Sequence, residues 1–99
     1  MKWAVGFHDL VLSRDCTSIS RNDLQEIMSA VERKLGVDPQ AYGKPLRGVF
    51  SGYWRLRVGK YRVIYEIIKH QVMVIVVKVG QRKDDLVYKE FVLRLKHLN

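Results

Sequence analysis

The spacing of hydrophobic positions changes three times along the chain, and each change marks a new kind of element. From Trp3 to Phe7 apolar and small residues alternate as in a short strand, and Leu10, Val11 and Leu12 follow as a helical turn. From Ser20 onward Leu24, Ile27, Met28, Val31 and Leu35 recur at helical spacing, with Arg21, Asn22, Gln25, Glu32 and Arg33 between them. Ser20 with Asp23 three residues on is an N-cap pattern. Gly36 predicts a left-handed cap at the far end, and Asp38-Pro39 predicts that the helix does not resume. Residues 40–52, with three glycines and Pro45, read as a connecting loop.

Three runs rich in Val, Ile and Tyr come next, at 53–58, 61–68 and 72–79. Gly59-Lys60 joins the first two as a two-residue hairpin turn with glycine first. That turn sets the register: Val58 opposes Tyr61, Arg57 opposes Arg62, Leu56 opposes Val63, Arg55 opposes Ile64, Trp54 opposes Tyr65 and Tyr53 opposes Glu66. Opposed residues share a face. One face therefore carries Trp54, Leu56, Val58, Tyr61, Val63 and Tyr65, and the other carries Tyr53, Arg55, Arg57 and Arg62. The third run is apolar on both faces, which places it inside the sheet with the N-terminal strand beside it and Gly80 at its end. Asp84-Asp85 marks the start of a last helix over 86–98. Its apolar residues go nearly all the way round, so a partner chain covers it or it packs unusually deeply. The pattern is that of an α+β fold: a small, mainly antiparallel sheet of about four strands packed against an N-terminal helical segment, with a C-terminal helix. Residues 1–99 are expected to form a single domain.

Composition narrows the functional classes. Of 99 residues 47% are hydrophobic, which supports one core and excludes a disordered tail. The longest apolar run, Val72 to Val77, is far short of the ~20 residues of a membrane-spanning helix. The N-terminus lacks the apolar stretch of a signal peptide and Cys16 is the single cysteine, so a cytoplasmic protein without membrane association is expected. The net charge of +8 is one-sided: residues 1–43 carry −1 and residues 44–99 carry +9. Between Lys44 and Tyr65 six basic residues and no acidic one are interleaved with Phe50, Tyr53, Trp54, Tyr61 and Tyr65. That mixture suits a polyanion with stackable bases, and it also suits a merely solvated basic surface.

Position on the hairpin adds chemistry. Two arginines opposed across a ladder repel, and an anion lying over them would relieve the repulsion. Arg55, Arg57 and Arg62 on one rigid platform could neutralise charge growing on phosphate oxygens in a transition state. No HExxH, CxxC, Walker loop or GxGxxG is present, so neither a metal nor a cofactor is expected. His8, His70 and His97 stand far apart and read as surface histidines. RNA cleavage remains open without a metal, because RNA carries its own nucleophile, the 2′-hydroxyl.

Lys44-Pro-Leu-Arg-Gly48, Trp54-Arg-Leu-Arg-Val-Gly-Lys-Tyr-Arg-Val-Ile-Tyr-Glu66 and Val79-Gly-Gln-Arg82 followed by Val87-Tyr88 together resemble the RelE toxins of bacterial and archaeal toxin-antitoxin pairs. The resemblance implies ribosome-dependent cutting of mRNA, inhibition of translation, and neutralisation by a cognate antitoxin in a hetero-oligomer. It assigns catalytic roles to Arg55, Arg57, Arg62, Arg82 and Tyr88: Arg62 to transition-state stabilisation, Arg82 to phosphate binding, Tyr88 to stacking on or orienting the scissile nucleotide. Lys44, Arg47, Lys60 and Lys83 are the expected RNA-binding residues around them. Arg55 and Arg57 stand where members of the family often have lysine, and arginine is a poor general base, which leaves Lys44, Lys60 or a ribosomal group for that role. Two readings compete: a ParE-like inhibitor of DNA gyrase on the same scaffold, and an inactive basic module that binds RNA or ribosomes. Arg62 or Arg82 pairing with Glu66 or Asp84, and Tyr88 as a core residue, are the structural alternatives at the site itself.

Overall fold

A strand with Val and Ile on both faces is most stable where both faces are covered, and this sheet is arranged around such a strand. A computed structural model describes residues 2–83 and 86–97. Strands β1 (Ala4–Phe7), β2 (Lys44–Pro45), β3 (Tyr53–Val58), β4 (Tyr61–Ile68) and β5 (Met73–Gln81) form one sheet in the order β1-β5-β4-β3-β2. β5 lies between β1, which it pairs in parallel from Ala4↔Met73 to Phe7↔Val76, and the antiparallel β4. The β3–β4 ladder has the register set by its turn, from Tyr53↔Glu66 to Val58↔Tyr61. Gly59 has φ 55° and Lys60 is not in the positive-φ region, as a glycine-first turn requires.

Helix α1 (Arg21–Ala30) starts at Ser20, whose hydroxyl accepts from the Asp23 N–H at 3.2 Å. It continues as a wider turn, Val31–Leu35. Ile27, Ala30, Val31 and Leu35 bury against Leu56, Val58, Val63, Tyr65, Val74 and Val76 in the main core. Truncating Leu35, which is wholly buried, to alanine would cost about 2–5 kcal/mol there. The opposite face carries α3 (Leu86–Arg94), which packs Val87 and Phe91 on Ile64 and Val77, with Phe50 and Tyr53 alongside. Among the described residues no helix is long and apolar enough to cross a membrane.

Several local expectations are corrected. The sheet has five strands, because the segment read as loop contains β2, a 3-10 turn (Gly48–Phe50) and a short helix α2 (Pro39–Tyr42). Asp38 and Pro39 start that helix: the Asp38 carboxylate accepts from the Ala41 N–H at 3.1 Å, and proline suits the first helical position. Gly36 is right-handed, at φ −71° and ψ −14°. Its requirement is space, since a Cβ there would stand 2.5 Å from the Glu32 carbonyl oxygen. Val72 does not open the third strand. It closes the preceding turn at φ 50°, a left-handed conformation costly for a β-branched residue. β5 runs past Gly80 to Gln81, and Gly80 lets α3 approach: a Cβ there would lie 3.0 Å from the Val87 Cγ2. The last helix gives way to a 3-10 turn at Leu95–His97, while Asp84, Asp85 and Leu98 lie outside the described residues.

Candidate functional site

The hairpin places its cations in two rows across the face that also carries α3. Lys44, Arg55, Ile64 and Lys78 oppose one another across β2, β3, β4 and β5 in one row, and Arg57, Arg62 and Gly80 in the next. Arg57 is exposed, and Arg55 and Arg62 are half-buried. Among the described residues no carboxylate stands within ion-pair distance of Arg55 or Arg57. Gly80 contributes by being small, since a side chain beside Arg62 would crowd Val87 of α3.

Tyr88, on the first turns of α3, lies beside this row. The Arg62 guanidinium sits 5.0 Å from the centre of its ring, within cation–π range. Phe50 packs against Tyr88 at 5.7 Å and stacks on Phe91 at 5.6 Å, and Tyr53 meets Phe91 edge-on at 5.0 Å. Tyr88 is half-buried, so its ring contacts the aromatic cluster while part of it faces solvent. Arg82 reaches the hairpin turn: its backbone N–H donates to the Lys60 carbonyl at 2.8 Å and its Nη1 to the Gly59 carbonyl at 3.2 Å. Arg62, Arg82 and Tyr88, from three separate elements, are thus gathered around the turn end of the hairpin.

The outer cations are less uniform. Lys44 opposes Arg55 and therefore shares the arginine face, while Arg47 and Lys83 are exposed nearby in chain order. Lys60 turns to the α1 side instead. Its Nζ lies 3.7 Å from the Asp23 carboxylate and 5.6 Å from the centre of the Tyr61 ring. The Tyr61 hydroxyl donates to Asp23 at 2.8 Å. That hydrogen bond, assisted by Lys60, holds the Asp23 carboxyl below the usual range, and burial with Asp23 as neighbour pushes the Tyr61 phenol up. Burial alone drives the Tyr65 phenol well above its usual value, and its hydroxyl is committed to the Pro39 carbonyl at 2.6 Å. Burial raises the Cys16 thiol, with Asp15 adding to it, so Cys16 is no activated nucleophile. His8 is a structural acceptor, receiving the Leu10 N–H on Nδ1 at 3.1 Å.

Sequence reasoning missed a second charged cluster on the same face. Asp15 is buried and accepts from Lys78 Nζ at 3.1 Å, from the Val79 N–H at 2.9 Å and from both arms of the Arg94 guanidinium at 2.7 and 2.8 Å. The available signal was Lys78, a lone charge inside an otherwise apolar strand, which demands a buried partner. On the other side of the sheet a concavity of about 740 Å³ lies between β1 and α1, lined by Trp3, Val5, Phe7, Met28, Val31 and Val37 among others. It contains none of the site cations.

Comparison with known proteins places this architecture. Residues 10–86 match the family described as the ParE toxin of type II toxin-antitoxin systems, parDE. A stretch of 58 residues is 38% identical to the mRNA interferase toxin RelE of Escherichia coli, covering 58% of this chain and 61% of that protein. The match thus spans about three fifths of the curated relative. Among solved structures, the RelBE2 toxin-antitoxin complex of Mycobacterium tuberculosis contains a chain with TM-score 0.78 and 27% identity, covering 83% of this chain and 100% of that one. A substituted form of Escherichia coli RelE in the free state aligns with TM-score 0.72 and 22% identity, covering 96% of this chain and 99% of that one, which shows a shared fold.

Proposed function

The chain belongs to the ParE toxin family of type II toxin-antitoxin systems, within the RelE/ParE superfamily, and from that membership we propose that it is a RelE-like endoribonuclease that cuts mRNA on the ribosome and so inhibits translation. The observation that carries this reading is the opposed Arg57–Arg62 pair with the Tyr88 ring against Arg62. Fixed guanidinium groups suit a phosphate, and an adjacent half-exposed ring suits a base.

The reaction needs no metal. The 2′-hydroxyl of one nucleotide attacks the adjacent phosphorus, the bond from phosphorus to the 5′-oxygen breaks, and a 2′,3′-cyclic phosphate and a 5′-hydroxyl result. One proton leaves the 2′-oxygen and one is delivered to the 5′-oxygen. Arg57 and Arg62 neutralise charge on the non-bridging oxygens, with Arg55 and Arg82 holding the flanking phosphates. Tyr88 stacks on a base beside the cleaved bond, and Lys44, Arg47 and Lys83 contribute to backbone binding. Arginine does not accept the proton at neutral pH. That leaves Lys44, on the arginine face, Lys60, whose exposed side chain has its Nζ 3.7 Å from Asp23, or a ribosomal group.

The partner is a cognate antitoxin in a hetero-oligomer, in a cytoplasmic setting. α3 exposes Leu86 (49%), Val92 (46%) and Leu93 (71%), and residues 44–99 carry the positive charge. An acidic, amphipathic segment fits both features. One second reading is kept because residues 10–86 match the family described as the ParE toxin: a ParE-like inhibitor of DNA gyrase. Inducing the chain in a bacterial host and mapping mRNA ends by primer extension tests the first reading, with a supercoiling assay on purified gyrase alongside. Growth arrest with new ends in translated mRNA and unimpaired supercoiling supports the nuclease. Intact mRNA with blocked supercoiling overturns it, and salt-dependent RNA binding with neither effect identifies an inactive binder.

A further inference from the structure

A helix with Leu86, Val87, Tyr88, Phe91, Val92 and Leu93 gains nearly as much from burying one face as another. Hydrophobic contact therefore defines its position on the sheet but leaves its rotation about its own axis weakly defined. In the structure one rotation is selected: Val87, Phe91 and Arg94, spaced at i, i+4 and i+7, face inward. Arg94 is the charged member of that stripe. It closes a two-armed fork on Asp15, and its Nη1 also donates to the Val77 carbonyl at 3.2 Å.

The receiving end is tied to the sheet as well as to α3, whose Glu90 lies 3.4 Å from the Lys78 Nζ. β1 pairs with β5 only as far as Phe7↔Val76. Beyond that point the Val79 N–H is satisfied by the Asp15 carboxylate and the Val77 carbonyl by Arg94, in place of a neighbouring strand. Lys78 adds a third tie to Asp15. A planar fork on an anchored carboxylate accepts one orientation of the helix, whereas a leucine in its place would accept several.

We propose that the Asp15–Arg94 fork sets the rotational register of α3 and thereby holds Tyr88 against Arg62. Asp15 and Arg94 are then positioning residues for the arginine face, with Arg94 about one and two-thirds turns along the helix from Tyr88. Their consequence for RNA cleavage rests on the function proposed above, and the contact itself does not.

The test is a coupling experiment on the full chain labelled with 3-fluorotyrosine, the Tyr88 resonance being assigned by its loss in Tyr88→Phe. In the native background Arg62→Met should move that resonance, because it removes the cation over the ring. With Arg94→Leu also present, the same substitution should no longer move it. An equal displacement in both backgrounds, in chains shown to be folded by circular dichroism, overturns the proposal, as does no displacement in the native background. If Arg94→Leu does not fold, Arg94→Lys, which keeps the charge and loses the fork, carries the same comparison and should at least halve the displacement. A second arm follows mRNA cleavage: Arg94→Leu with Tyr88→Ala should cleave within about threefold of Tyr88→Ala alone, because both act through one ring. Multiplied losses contradict the proposal. If the native chain cuts no RNA, the nuclease reading fails and the fluorine arm still decides the fork.

Discussion

Two groups of cations occupy the same face of the sheet and live under opposite rules. Lys78 and Arg94 have side chains only 7% and 8% exposed and share the carboxylate of Asp15, itself 2% exposed. Arg55, half-buried, and Arg57, exposed, lie two strands away on β3 with no carboxylate in ion-pair distance among the described residues. Buried charge requires an internal counter-ion, because desolvation without one costs several kcal/mol. A surface cation has no such requirement, and the opposition of Arg57 to Arg62 concentrates positive charge to which an anion would be attracted. The first group is neutralised within the fold, and the second, on the function proposed above, is placed to meet a phosphate.

Removing Asp15 should produce the largest effect on stability. Asp15→Ala leaves Arg94 buried without its carboxylate and Lys78 with only Glu90, at 3.4 Å, and urea titration should show a loss of about 3–5 kcal/mol. A loss below about 1 kcal/mol, the range of surface pairs, would erase the distinction between the two groups. Arg57→Ala should have the opposite sign. Relieving the cross-strand repulsion should leave stability unchanged or raise it by about 0.2–1 kcal/mol, while RNA affinity falls. Destabilisation by more than that would make Arg57 a structural residue. Salt sharpens the contrast further: from 50 to 200 mM, RNA affinity should fall steeply as bound counter-ions are released, whereas the shielded Asp15 cluster should hold its stability.

The smallest effect belongs to Asp23, on the α1 side. Its folded-state pKa is depressed by the Tyr61 hydroxyl first and Lys60 after it. The stability it contributes is therefore present above the ordinary Asp value of about 3.9 and lost as pH falls through the lower folded value. Asp23→Asn should flatten that part of the acid unfolding curve and leave the neutral region little changed. An unaltered acid limb would show that the hydrogen bond carries no proton-linked stability.

The open cluster was the more legible of the two in sequence because its geometry is local. A two-residue turn with glycine first fixes every β3–β4 pair, so the sharing of one face by Arg55, Arg57 and Arg62 follows from counting. The interior position of β5 follows from its composition in the same way. The buried cluster joins residues 63 and 79 positions apart, and nothing in local periodicity links Asp15 to Lys78 or Arg94. Gly36 was misread because a left-handed cap and a crowded right-handed turn both call for glycine, and only packing tells them apart. The side Lys60 takes was not legible for a related reason: a turn residue has no strand alternation to orient it, and Asp23 on a distant helix does.

The central claim is that the arginines of the hairpin face act on RNA phosphate and the buried Lys78 and Arg94 on the fold. Its most direct measurement is the rate of mRNA cleavage in a translating extract by Arg62→Ala, normalised to folded protein by circular dichroism. The account predicts a loss of about 10²–10³ in rate, the effect of removing one preorganised donor from a developing anion, with the chain still folded. Full cleavage by folded Arg62→Ala would contradict it.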